Sequence, residues 1–235
     1  MEVQRTFAVG TSALREAANS GKFLEEVERK LGLSVDVISG EEEARLSFLS
    51  VAKDLKEGNR EILVIDVGGG STEFILGQGD QVREWRSLPL GSVRFAEQFL
   101  VSDAIGEEEW SGMEAEIRRR LEGIPRPRKD GWLVAVGGTA TTLASVEQEL
   151  PEFIPEKIHH FRLTREGLVR QLQLYRSKPV SERRKIPGLP PARAEVIPAG
   201  GAILSLAMEV TGSPSVLISC HGIRYGLLYK KLSEG

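Results

Sequence analysis

Apolar residues in this chain fall into short runs closed by glycine, and their spacing switches between the strand and the helix period. Thr6-Phe7-Ala8-Val9 reads as a strand that stops at Gly10, with Ser12 placed to cap a following helix. Phe23, Leu24, Val27 and Leu31 recur at helical spacing up to Gly32, and Val35 to Ile38 alternates like a strand. A helix is expected from about Glu41 to Lys53. The polar stretch from Lys56 to Arg60 precedes the apolar run Ile62-Leu63-Val64-Ile65, and it predicts a boundary between a domain over 1–58 and a second over 59–235. The second domain then reads as strand, glycine loop, strand (Glu73 to Leu76) and a turn at Gly77-Gln78-Gly79-Asp80. A short helix through Phe95 and Phe99 comes next, followed by a charged helix over Glu107 to Leu121 and a strand over Trp132 to Val136. Helices near Leu168 to Tyr175 and Arg193 to Val210, a strand at Val216 to Ile218 and a C-terminal helix complete it. Strands alternating with helices predict an α/β fold with a partly parallel sheet.

With 31 basic and 34 acidic residues and a formal net charge of -3, the chain offers no broad cationic face for duplex nucleic acid or an anionic membrane. An anionic ligand must therefore be held by a local site. The single cysteine, Cys220, has no internal disulfide partner, the N-terminus lacks the apolar core of a secretion signal, and no apolar run nears the roughly twenty residues that cross a bilayer. The expected compartment is the cytoplasm.

Two glycine loops carry the candidate chemistry. Glycine lets backbone N–H groups approach an anion closely, and Gly68-Gly69-Gly70 with Ser71 and Thr72 lies directly after a buried strand. Asp66 and Glu73 flank this loop as a magnesium ion bound to phosphate oxygens would require, and no lysine follows the glycines as in a Walker-type loop. Gly137-Gly138-Thr139, about seventy residues on, opens a helix whose dipole and free N–H groups favour an anion. A general base must come from a separate element, and the helix start Glu41-Glu42-Glu43 offers one; the pattern leaves open which of the three it is. His159, His160 and His221 show no metal-ligand spacing and are expected in loop or surface roles.

The stretches Ala8 to Ala17, Ile38 to Leu46, Asp66 to Glu73, Leu90-Gly91-Ser92-Val93, Gly137-Gly138-Thr139 and Pro187 to Gly200 together resemble the exopolyphosphatase and guanosine pentaphosphate phosphohydrolase (Ppx/GppA) family, in that family's order. The resemblance implies two ribonuclease-H-like domains of the actin-like ATPase superfamily, with the C-terminal helix packed back on the first. It also implies magnesium-assisted hydrolysis of a terminal phosphoanhydride in polyphosphate or a guanosine polyphosphate nucleotide. It assigns the base to Glu43 and the positioning of metal and water to Asp66 and Glu73. Phosphate contacts fall to Gly68 through Thr72, to Gly137, Gly138 and Thr139, and to Arg15 and Arg193; Arg45 is expected in a structural ion pair.

The chain departs from the family pattern in two places. Relatives begin with an Asp-Gly-Ser/Thr-Asn-Ser type loop that is absent here, so the first domain is expected to be truncated, with exposed strand edges that a homodimer or a partner chain would cover. Near the end, Ser219-Cys220-His221-Gly222-Ile223-Arg224-Tyr225-Gly226 replaces a segment that in relatives carries two acids. Three function classes follow: the phosphohydrolase, a small-molecule kinase of the same superfamily, and a non-catalytic binder of polyphosphate or guanosine nucleotide.

Overall fold

A computed structural model describes residues 3, 5–55 and 60–233. The chain divides into two compact units, Met1–Arg45 and Leu46–Gly235. The boundary expected between residues 58 and 59 lies outside the described residues.

The first unit pairs two short parallel strands, β1 (Ala8–Gly10) and β2 (Val35–Val37), in the register Ala8↔Val35 to Gly10↔Val37. Between them run α1 (Ser12–Glu16) and α2 (Ser20–Leu31). Helix α2 ends where Gly32 turns left-handed at φ 63°, a conformation that glycine enters without steric cost. Helix α3 (Gly40–Leu55) starts in this unit. Its entry is fixed by Ser39, whose Oγ accepts from the Glu42 N–H at 3.1 Å and whose carbonyl accepts from the Glu43 N–H at 2.9 Å.

The second unit is built on six strands: β3 (Glu61–Val67), β4 (Thr72–Gln78), β5 (Gln81–Leu88), β6 (Trp132–Val136), β7 (Arg162–Thr164) and β8 (Ser215–Ile218), in the spatial order β5-β4-β3-β6-β8-β7. β3, β6 and β8 are parallel, whereas β4 and β5 fold back as an antiparallel meander. Strand β5 was not anticipated: its residues alternate only between exposed and half-buried, so no apolar face marks it in the sequence. Helices α4 (Ser92–Phe99), α5 (Glu107–Arg120), α6 (Gly137–Glu147), α7 (Pro155–Ile158), α8 (Arg165–Arg176), α9 (Val180–Arg183), α10 (Ile197–Thr211) and α11 (Ile223–Ser233) complete the unit. α10 is buried continuously from Ile197 to Met208, which fits a helix that is apolar all round, and it packs in one core with Leu63, Ile65 and Val67 of β3. Ile62 and Val64, which point the other way, are buried too, so both faces of β3 are covered.

The helix expected from Arg193 starts four residues later, at Ile197. Pro190 and Pro191 disfavour helical geometry in the residue before each of them, Pro191–Arg193 is a short 3-10 turn, and Pro198 fits the first turn of the helix, where no backbone N–H is needed. None of the described helices is long and apolar enough to cross a membrane.

Candidate active site

The parallel strands β3, β6 and β8 end on the same side of the sheet, the side on which open α/β sheets receive ligands. Asp66 and Glu73 stand there as direct cross-strand partners, because the turn joining β3 to β4 fixes the register Asp66↔Glu73 and Val67↔Thr72. Residues so paired project from the same face with Cβ atoms about 4.5–5.5 Å apart. Ser87 of β5 lies opposite Glu73 on its other side and donates from Oγ to Glu73 Oε1 at 2.7 Å.

The turn between the two carboxylates is anchored from below by α4. Gly68 O accepts from the Ser92 N–H at 2.9 Å and from Ser92 Oγ at 3.1 Å, while Gly69 O accepts from the N–H groups of Val93 and Arg94 at 3.0 and 3.1 Å. Glycine is required at 91 for this approach, since a Cβ there would overlap the Gly69 carbonyl. The carbonyls thus point into the protein, and the N–H groups of Gly69 and Gly70, both exposed, are left with no acceptor among the described residues.

Two expectations need correction here. The Gly68 N–H is not free for a ligand, because it closes the turn on Ser71 O at 2.9 Å. The Thr72 side chain is fully buried and its hydroxyl donates to Leu90 O, so it braces the turn rather than facing an anion.

The second glycine loop meets the first through Asp66. Gly137 has φ 82°, and a Cβ on it would stand 2.5 Å from Asp66 Oδ1. Glycine therefore lets the start of α6 come down onto the carboxylate, and the unpaired first-turn N–H groups of α6 open beside it. The Thr139 hydroxyl, like that of Thr72, turns inward and donates to Val67 O at 3.0 Å. Arg193 lies over Gly138 so closely that a Cβ there would overlap its guanidinium. A cation at a helix N-terminus sits on the unfavourable side of the dipole, and Arg193 makes no ion pair among the described residues. An anion held between the guanidinium and the α6 N–H groups would satisfy both. Arg94, which sequence reasoning missed, stands beside the first loop, its Nη2 4.0 Å from where a Cβ on Gly70 would be. It sits one turn into a helix whose first residues were read only as a family motif.

Glu43 belongs to the first unit, where Arg15 donates from Nη1 to Glu43 Oε2 and to Ile38 O, each at 2.9 Å. Arg15 thus orients the carboxylate assigned as base. Arg45 pairs with Glu41 at 2.8 Å, the structural ion pair expected of it.

The histidines also need correction. They do sit in turns, but all three converge on Asp54: His159 Nε2 at 3.2 Å, His160 Nε2 at 2.6 Å and His221 Nδ1 at 3.4 Å from a carboxylate oxygen. The segments involved lie too far apart in the chain for spacing to reveal the cluster. Cys220 beside them is half-buried, and burial pushes its thiol pKa up, which suits a packing role better than a nucleophilic one. A cavity of about 490 Å³ lined by Arg128, Trp132, Arg162 and Ser215 lies at the opposite end of the sheet and shares no residue with either cluster.

Compared with known families, residues 1–234 match the Ppx/GppA phosphatase family. A guanosine-5'-triphosphate,3'-diphosphate pyrophosphatase of Aliivibrio fischeri (strain ATCC 700601 / ES114) is 34% identical over 233 residues, which is 99% of this chain and 46% of the relative. One from Vibrio vulnificus (strain YJ016) is 34% identical over 227 residues, 96% of this chain and 44% of the relative. The crystal structure of the Aquifex aeolicus member of the Ppx/GppA protein family superposes with a TM-score of 0.89 at 36% identity, over 99% of this chain and 75% of that one. The chain spans about half the length of the curated relatives it matches.

Proposed function

The chain belongs to the Ppx/GppA phosphatase family, and from that premise we propose that it hydrolyses the terminal phosphoanhydride of a guanosine pentaphosphate or of inorganic polyphosphate, releasing orthophosphate. The observation that carries this reading is the meeting of Asp66, the Gly69-Gly70 N–H pair, the start of α6 and the Arg193 guanidinium at one end of one sheet. Two in-register carboxylates are hard oxygen donors, and backbone amides with an arginine suit phosphate oxygens, so the donor set fits a magnesium-bound anion. The guanosine nucleotide is favoured as substrate by the names of the relatives at 34% identity.

In this reading Asp66 and Glu73 would hold magnesium, which when bound would neutralise charge on the phosphate oxygens. The N–H groups of Gly69, Gly70 and the first turn of α6 orient the terminal phosphate, and Arg193 meets the charge that builds on its oxygens as the anhydride opens. Glu43 accepts a proton from the attacking water. The water oxygen bonds to the terminal phosphorus, the bond from that phosphorus to the bridging oxygen breaks, and the shortened chain leaves with the bridging oxygen.

Phosphate release from guanosine pentaphosphate and from polyphosphate, measured for wild type and Glu43→Gln, tests the assignment. A fall of about 10²–10⁴-fold with nucleotide binding retained by calorimetry is expected for removal of a general base. Undiminished release in the variant would refute it, and binding without release in the wild type would make the chain a binding module.

A further inference from the structure

The protein contains three histidines, and all three gather around the carboxylate of Asp54. Asp54 comes from the end of α3, His159 and His160 from the turn before β7, and His221 from the turn between β8 and α11. The ligand atoms of Asp54, His159 and His160 lie within 4.8 Å of one another. Neighbouring residues normally send their side chains apart; here His160 adopts φ 63°, rare for a non-glycine residue, and its ring stacks on that of His159 with centroids 3.9 Å apart. Both Nε2 atoms consequently face the same carboxylate. The third ring, His221, lies 4.3 Å from His159, and its Nδ1 is buried with no hydrogen-bond partner among the described residues although it lies 3.4 Å from Asp54 Oδ1.

We infer that Asp54, His159 and His160, closed on a fourth side by His221, form a binding site for one divalent transition-metal ion of the zinc class. Imidazole nitrogens with a single carboxylate are the donors such ions prefer, whereas magnesium takes oxygen ligands in octahedral array. A metal ion would also give His221 Nδ1 the partner it lacks, since the Asp54 carboxylate is engaged by His159 and His160 and leaves that nitrogen without a hydrogen bond among the described residues. Asp54 is largely shielded, its side chain 13% exposed, while the His160 side chain is 45% exposed and gives an ion its way in. In the metal-free arrangement the Cys220 N–H donates to His159 Nδ1 at 3.2 Å, which keeps that ring's proton on Nε2, facing Asp54. Metal binding at Nε2 moves the proton to Nδ1, and the Cys220 amide loses its acceptor. This gives the site a signature that binding elsewhere on the molecule would not produce. The site draws on none of the residues assigned to hydrolysis.

The test uses the full, untagged chain, stripped with chelator and titrated with Zn²⁺, and with Co²⁺ as a visible probe. One ion per chain is expected, with the intense absorption of a tetrahedral cobalt site, a shift of the Cys220 amide resonance, and no displacement by excess Mg²⁺. His160→Ala, at a position exposed enough to spare the fold, should weaken binding at least about tenfold, as should Asp54→Asn. Failure of the wild type to take up one equivalent would overturn the inference. So would uptake by His160→Ala that equals the wild type, whatever the folding of Asp54→Asn. The phosphate-release assay decides the hydrolase reading separately.

Discussion

Two clusters lie at the ligand-receiving end of the large sheet, and they differ in chemistry and in how the chain assembles them. The first, around Asp66, Glu73 and the glycine turns, is made of carboxylate oxygens, backbone amides and guanidinium groups. Most of it comes from one eight-residue hairpin, Asp66 to Glu73, with α6 starting on the next strand. The second, around Asp54, is made of imidazoles drawn from three separated segments, beyond the end of β8. β8 stands two strands from β3, about 10 Å at ordinary strand spacing. Hard donors beside free amides suit a magnesium-bound phosphate, and nitrogen donors beside a single carboxylate suit a softer ion. One end of the sheet can therefore present two sites that do not compete for the same ligand.

The largest expected effect separates the two by metal. Chelation of all divalent ions should take phosphate release to background, with Mg²⁺ restoring it and Zn²⁺ alone failing to, as a colorimetric phosphate assay would read. Restoration by Zn²⁺ but not Mg²⁺ would move the chemistry to the histidines.

Next in size is Gly91→Ala, which drives a methyl group into the Gly69 carbonyl that α4 holds. A loss of about 1–3 kcal/mol in denaturant unfolding is expected, in the range of overpacking, with zinc uptake intact in the folded fraction. Arg193→Gln should raise KM about tenfold, the weight of one charge-assisted contact of about 1.4 kcal/mol, and leave the melting temperature nearly unchanged because Arg193 has no ion pair among the described residues to lose.

The smallest effect lies away from both clusters and controls for them. Glu209 on α10 pairs with Arg118 of α5 and Arg165 of α8, and the Arg118 guanidinium holds its carboxyl below the usual range. A depressed carboxylate contributes stability that is present above its unfolded value of 4.5 and is lost as pH falls through the lowered folded value. Glu209→Gln should therefore cost at most about 1 kcal/mol at neutral pH for so accessible a pair, and nothing in strong acid, with phosphate release unchanged.

The contrast between the clusters also explains what the sequence could reveal. The hairpin site was legible because turn chemistry, strand ends and carboxylates occur within a few residues of each other, so local spacing determines their geometry. β3, β6 and α6 were legible for the same reason: continuous apolar runs end at glycine. β5 was not, since a half-exposed edge strand carries little apolar alternation, and Ser87 was missed with it. The inward turn of Thr72 and Thr139 depends on carbonyls contributed by other segments, Leu90 and Val67, which no local pattern encodes. The histidine cluster is the extreme case, since 105 residues separate Asp54 from His159 and only the packing of α3 against the turns beside β7 and β8 joins them.

The measurement that bears most directly on the account is Mg²⁺-dependent phosphate release from guanosine pentaphosphate by Asp66→Asn and His160→Ala, side by side with the wild type. Loss of about 10²–10³-fold in Asp66→Asn, with His160→Ala within about twofold of wild type, is the expected result. Full activity in Asp66→Asn would contradict it, because the carboxylate at the meeting point of the two glycine loops would then play no part in the reaction.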